Sequence, residues 1–168
     1  MSFSIPNRRV ALIAIPALIL FLSSYLVSQA RQPVLGISKG TPPPDAEITA
    51  SIGNGDITVK LVLINHASTA FPLLKWNLPE DGTLENALFE VSRDGDPLGY
   101  TGRLAKRRVT PESYMPMEPG KKYKATINLG NFYDTGPSGV YEIRYRVFNE
   151  NEAGDLLEIA SPQITVEK

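Results

Sequence analysis

A strict alternation of apolar and polar residues near the carboxyl end is the feature that most constrains the fold. The apolar set is Tyr141, Ile143, Tyr145 and Val147, and the residues between them are Glu142, Arg144 and Arg146. Successive side chains of a β-strand point to opposite faces, so this pattern predicts a strand with one face on a core and the other in water.

Two aromatic residues refine this prediction. Tyr141 stands at the start of the predicted strand, where immunoglobulin-like sandwiches carry a tyrosine whose hydroxyl bonds to backbone a few residues upstream. Trp76 is predicted to be the buried tryptophan of strand C in such a fold. The chain has no cysteine. We therefore expect Ile143 to pack on Leu61 and Leu63 where antibody domains have a disulfide between the sheets.

Period-2 runs separated by turn residues continue through most of the chain, and no amphipathic helix of ten residues stands out. The fold class predicted is all-β: an immunoglobulin-like two-sheet sandwich of seven or eight strands over residues 46–168, preceded by one N-terminal hydrophobic helix. The more local expectations are a hairpin turn at Asn54-Gly55-Asp56, a strand from Phe71 to Leu78, another stretch from Gly99 to Arg108, and a closing strand pair interrupted at Pro162.

The amino terminus carries an export signature. Arg8 and Arg9 precede an apolar run from Val10 to Val27, and Ser28-Gln29-Ala30 fits a signal-peptidase site. Residues 1–30 are thus either a cleaved signal peptide or a retained anchor, because the run is long for a signal and short for a membrane span. We expect an exported protein, periplasmic or extracellular, with anchoring in the inner membrane through residues 10–27 if they are retained. Residues 31–45 form a Pro-rich, extended spacer.

The net charge argues against nucleic acid as a partner. Arg8 and Arg9 are the only charged residues among the first thirty, so residues 31–168 hold 15 of the 17 Lys and Arg residues and all 18 Asp and Glu residues, a net charge of −3. A weakly acidic domain gives no electrostatic reason to bind nucleic acid.

The sequence shows no recognisable catalytic or cofactor site. Its single histidine, His66, follows a predicted strand and fits a surface turn better than a metal site. The acids of the predicted loops lack the regular spacing of a calcium loop. We predict no catalytic residue, no metal ligand and no cofactor, and hence a protein that is not an enzyme.

A set of short motifs resembles the amino-terminal region of deuterolysin-type metalloendopeptidases, especially the peptidyl-Lys class. The resemblance covers roughly Ile57 to Tyr145, and its motifs include Leu74-Lys75-Trp76-Asn77, Leu88-Phe89-Glu90-Val91, Arg93-Asp94-Gly95, Tyr100-Thr101-Gly102, Lys106-Arg107, Pro119-Gly120 and Gly139-Val140-Tyr141. In that family the region resembles a propeptide domain before a zinc catalytic domain that carries His-Glu-x-x-His. That signature is absent from this sequence, so the resemblance transfers no catalytic residue.

The resemblance implies a non-catalytic interaction module outside the cytoplasm that binds or inhibits a protease in trans. Packing explains Tyr100, Lys106 and Arg107 least well, so these residues are the candidate protein-binding surface. The simpler alternative is that the two cations only solvate the end of a strand. For function, the alternative is an accessory subunit of a membrane complex, anchored by residues 10–27. A carbohydrate-binding or enzymatic role would need exposed aromatic residues or a reactive group that the sequence does not indicate.

Overall fold

The computed structural model describes residues 40–151 and 154–168. Within these ranges the chain forms ten β-strands and three short 3-10 turns. The strands are β1 (Asp45–Gly53), β2 (Asp56–Ile64), β3 (Phe71–Leu74), β4 (Phe89–Arg93), β5 (Asp96–Pro97), β6 (Tyr114–Met117), β7 (Lys122–Asn128), β8 (Val140–Glu150), β9 (Leu156–Ala160) and β10 (Ile164–Glu167). The all-β prediction is confirmed for the described residues.

The first sheet contains β1, β2 and β7, all antiparallel, with β2 in the centre. A two-residue turn joins β1 to β2, and its residues Asn54 and Gly55 have φ values of 53° and 81°. Positive φ at both positions matches the right-handed twist of the flanking strands, which is why Asn-Gly is favoured there. The hairpin predicted at this turn is confirmed.

The second sheet is built around β8, the longest strand at 11 residues. Its amino-terminal half pairs with β4 along one edge, and β9 and β10 pair with it as well, both antiparallel. The Ser161 N–H still donates to the Tyr145 carbonyl of β8, but the pairing is interrupted at Pro162, because proline cannot donate a ladder hydrogen bond. The predicted interruption of the closing strands at Pro162 is confirmed.

The inner faces of the two sheets share one hydrophobic core, which makes the domain a β-sandwich. Leu61 and Leu63 of the first sheet and Tyr141, Ile143 and Tyr145 of the second are completely buried. The Tyr141 hydroxyl donates to the Pro137 carbonyl at 2.6 Å, as predicted for a corner tyrosine. The apolar residues of β8 therefore face the core and the charged residues between them face outward, as predicted.

The structure overturns the prediction for Trp76. The strand expected from Phe71 to Leu78 ends at Leu74, and Trp76 lies half-buried in the 3-10 turn Lys75–Asn77, outside the core cluster. The reason is the neighbouring Asn77, whose amide donates to the Phe148 carbonyl and whose own carbonyl accepts from the Tyr145 hydroxyl. Because Asn77 takes the inward position, Trp76 points away from the core.

Two other expectations need correction. Among the described residues ten strands replace the predicted seven or eight, because the prediction lacked β5, which has only two residues, and β6, which contains a proline and pairs there only with β3. The stretch from Gly99 to Arg108 is a loop and not a strand. The predicted hydrophobic helix, residues 10–27 and most of the spacer lie outside the described residues. Among those described, no helix is both long and apolar enough to cross a membrane.

Candidate protein-binding surface

The three predicted surface residues lie on one connection, residues 98–110, which we call the open loop. It joins the short β5 to the 3-10 turn Pro111–Ser113 before β6. The loop contains Tyr100, Lys106 and Arg107, together with Arg103 and Arg108, and it has no acidic residue. It therefore concentrates four positive charges in a protein whose formal net charge is −1.

Tyr100 fixes the amino-terminal end of the open loop. Its ring stacks on Phe132 at a centroid distance of 6.2 Å and meets the edge of Tyr133 at 5.6 Å. Its hydroxyl donates to the Leu84 carbonyl at 2.9 Å. Burial, and secondarily the nearby Glu85 carboxylate, raises the pKa of Tyr100, because both disfavour the phenolate. Tyr100 is thus a structural anchor that leaves only part of its ring available to a partner.

Gly102 is required beneath the Tyr100 ring. A Cβ atom at this position would collide with the Tyr100 hydroxyl and the ring carbon that bears it. The loop backbone turns back over the ring at this point, and the Thr101 N–H donates to the Phe132 carbonyl at 2.9 Å. The sequence Tyr100-Thr101-Gly102 is therefore explained by a close approach of ring and backbone.

Arg107 fixes the other end. Its guanidinium forms an ion pair with Glu85 and lies over the Trp76 ring, 5.6 Å from the centroid. A guanidinium between a carboxylate and an aromatic face gains from both, although the Arg107 side chain is still 31% exposed and the pair is screened by water. Glu85 consequently lies close to both anchors of the loop, one at Tyr100 and one at Arg107.

Between and beside these anchors the loop exposes its side chains. Leu104 is 70% exposed, the largest value among the exposed large hydrophobic residues of the described domain. Lys106 is exposed and has no ion-pair partner within residues 40–151 and 154–168. Of the three predicted residues, then, Lys106 is the one that is wholly available, and sequence reasoning missed Leu104.

The outer face of the second sheet contrasts with the loop. Arg146 donates to Glu90 and to Glu158, each at 2.9 Å, and these carboxylates raise its pKa. Its guanidinium also lies over the Phe148 ring at 5.3 Å. The charges on that face are satisfied within the sheet itself, so a partner has less to gain there than at the open loop.

His66 lies where it was predicted, in the turn after β2. Its imidazole is 68% exposed and lies 3.6 Å from the Asp45 carboxylate, which is itself 74% exposed. The part of the chain that the structure describes contains no group of three His, Cys, Asp or Glu residues that could hold a metal ion. The geometry there fits a surface turn.

Buried asparagines are a second set that sequence reasoning missed. Asn65 and Asn149 are completely buried, and Asn77 is 4% exposed. Each carries hydrogen bonds between segments distant in sequence: Asn65 to Met117, Asn77 to Phe148, and Asn149 to Pro72 and Leu74. A signal existed for Asn149, because it continues the inward alternation of β8 that begins at Tyr141.

One curated protein is similar in sequence to part of this chain. The chain is 36% identical over 103 residues to a protein of Aeromonas hydrophila named extracellular protease. The matched region is 60% of this chain but only 29% of the protease, so the chain spans less than a third of that protein's length. No family profile matches the chain. The chain is therefore similar to one part of an extracellular protease, and this similarity is consistent with an exported protein.

Proposed function

We propose that this chain is a non-catalytic interaction module outside the cytoplasm that binds a protease in trans and inhibits it. The observation that carries the proposal is the 36% identity to a limited part of an extracellular protease. The described part of the chain is a β-sandwich that brings together no group of three residues able to hold a metal ion. On this proposal the domain lowers the rate of proteolysis by contact with a catalytic domain.

The finer assignment is a domain resembling a deuterolysin-type propeptide, with an immunoglobulin-like arrangement of its sheets. The Tyr141 corner supports the fold assignment, and the motifs from Leu74 to Tyr145 support the resemblance. Periplasmic and extracellular locations both suit the proposal.

The open loop is the surface that we assign to binding. It joins an exposed apolar side chain, Leu104, to a cluster of cations that the sandwich does not need for its core. Aromatic residues and arginine are enriched in interface anchors, and Tyr100 and Arg107 are already held in fixed positions, so their ordering costs little on binding.

The test uses the purified full-length chain and the purified Aeromonas hydrophila extracellular protease. We expect the chain to bind the protease and to lower its rate of peptide hydrolysis in proportion to the amount added. The variant with Lys106→Glu and Arg107→Glu should bind more weakly by about 2 kcal/mol if these residues form a hot spot. A matched control, Lys121→Glu with Lys122→Glu, makes the same change of charge at exposed residues before and within β7.

Circular dichroism of both double variants must show the parent fold. If the parent chain neither binds the protease nor slows it, the proposed function is wrong. If both double variants weaken binding equally, the effect is one of general charge and the assignment to Lys106 and Arg107 fails.

A second candidate, an accessory subunit of a membrane complex, rests on the apolar run from Val10 to Val27. Amino-terminal sequencing of the mature protein separates the two. A mature chain that begins at Arg31 removes this candidate, whereas retention of residues 1–30 with recovery in the membrane fraction favours it.

A further inference from the structure

The backbone of the open loop is unpaired over most of its length. From Arg103 to Thr110 the chain runs without helix, strand, turn or bend. Within the described structure, the N–H and C=O groups of residues 104–109 make no backbone hydrogen bond. A row of unpaired, solvent-exposed backbone groups is what a β-strand of another protein needs in order to pair with it.

The unpaired segment is held at both ends. On its amino-terminal side Tyr100 is packed on Phe132 and Tyr133 and hydrogen-bonded to Leu84. Near its carboxyl-terminal end the Arg107 side chain is held by Glu85 and Trp76, and just beyond that end the Thr110 N–H donates to the Ser113 hydroxyl at 3.1 Å. An anchored segment loses less conformational entropy on binding than a free one, and rigid presentation is typical of protein surfaces that bind with little change of shape.

The segment also carries a side chain that could occupy a pocket of a protease, as a substrate side chain does. Leu104 is 70% exposed and points an apolar group into solvent between the anchors. A single exposed leucine is ordinary on a protein surface. Leu156, 66% exposed, is such a residue, but its strand β9 is already paired with β8. Only the open loop combines an exposed leucine with unpaired backbone and two fixed ends among the described residues.

We infer that residues 104–109 enter the substrate cleft of the partner protease as an extended strand, with Leu104 in a side-chain pocket of the cleft. Main-chain hydrogen bonds to an added strand supply affinity in this mode of recognition, and pockets for alternate side chains supply specificity. The positive charge of the segment suits a cleft with acidic walls. This inference rests on the proposed function, because it names the site through which the chain inhibits a protease.

The inference makes inhibition competitive with substrate. The probe is again the purified Aeromonas hydrophila extracellular protease, assayed with a chromogenic peptide at several concentrations of substrate and of the full-length chain. We expect the apparent KM to rise and kcat to stay constant. Leu104→Asp should raise the inhibition constant at least tenfold, whereas Leu156→Asp, the matched control with an equally exposed leucine, should leave it unchanged.

Hydrogen exchange supplies a second readout. The amide hydrogens of residues 104–109 should exchange rapidly in the free chain and slowly in the complex, because their N–H groups acquire partners only on binding. The same protection should be absent when the protease cleft is already filled by a peptide inhibitor.

The outcomes separate the inference from the proposed function. If the parent chain does not bind the protease, both are wrong. If the parent binds but Leu104→Asp binds equally well and residues 104–109 remain unprotected, the proposed function stands and the loop inference is overturned. Inhibition that lowers kcat without raising KM also overturns it, because the chain then acts outside the substrate cleft.

Discussion

Replacement of the buried Asn149 by alanine should test how the β3–β6 ribbon is attached to the sandwich. The Asn149 side chain is completely buried at the inward face of β8. Its oxygen accepts from the Leu74 N–H at 2.8 Å, and its amide donates to the Pro72 carbonyl at 2.8 Å. Both partners belong to β3, whose only pairing strand among the described residues is β6.

The expected loss follows from those two bonds. Alanine lacks the side-chain amide, so the Leu74 N–H and the Pro72 carbonyl both lose their hydrogen-bond partner. Both residues are buried, so water does not replace the lost amide. A buried backbone group left without a partner costs about 1–3 kcal/mol, so the substitution should lower the free energy of unfolding by about 2–6 kcal/mol. That is a large share of the ~5–15 kcal/mol that stabilises a typical domain.

Urea unfolding followed by far-ultraviolet circular dichroism measures the loss. The fluorescence of Trp76, the only tryptophan in the sequence, gives a second probe that lies directly after β3. Asn131→Ala is the matched control, because Asn131 is exposed and the change should stay within about 0.5 kcal/mol. If Asn149→Ala is no more destabilising than Asn131→Ala, the two hydrogen bonds do not attach the ribbon and the argument fails.

Three further predictions concern the core and the absence of chemistry. Tyr145→Phe leaves the buried Asn77 carbonyl without its donor and should cost about 1–3 kcal/mol, whereas Tyr141→Phe frees a carbonyl at the exposed Pro137 and should cost less, as urea unfolding of both variants will show. Burial raises the pKa of Tyr133 and Tyr145 well above the usual 10, so the folded state keeps protons that the unfolded state loses. The contribution of these two tyrosines to stability should therefore be constant below about pH 10 and should fall above it by about 1.4 kcal/mol per pH unit for each tyrosine; stability that does not fall between about pH 10 and about pH 11.5 would contradict this. Finally, the purified chain should hydrolyse no peptide, and EDTA should leave its melting temperature unchanged; a large drop would reveal a structural metal.

The sequence predicted what depends on alternation. The inward positions of β8, the Asn54-Gly55 turn and the Tyr141 corner each follow from local pattern and backbone preference, and each is confirmed. Trp76 was misplaced because its position depends on a long-range competition. The inward position went to Asn77, whose hydrogen bonds to β8 join residues about seventy positions apart, and no local pattern reports such bonds.

The sequence selected three residues for the candidate surface, but it did not predict their local structure. Tyr100, Lys106 and Arg107 resisted explanation as core residues, and all three lie on the connection between β5 and the 3-10 turn Pro111–Ser113. Their sequence suggested a strand, whereas the segment has no partner strand within the described structure. A segment becomes a strand only where a neighbouring strand has a free edge. The nearest preceding long strand, β4, is already paired with β5 and β8, and local sequence does not show this. The sequence did not single out Leu104, because its exposure results from the lack of a partner strand, which the sequence does not show.

The order of strands in the first sheet has a consequence for synthesis. The hairpin of β1 and β2 is complete at Ile64, but its third strand, β7, ends only at Asn128. At translation rates of ~5–20 residues per second, the ribosome needs about 3 to 13 s to make the intervening chain. A hairpin formed in that interval would have an open edge at β2, and Ile57, Val59, Leu61 and Leu63 would lack the core that buries them in the folded domain. Such a hairpin would be exposed to aggregation, so the yield of soluble protein should depend on what shields β2 until β7 is made.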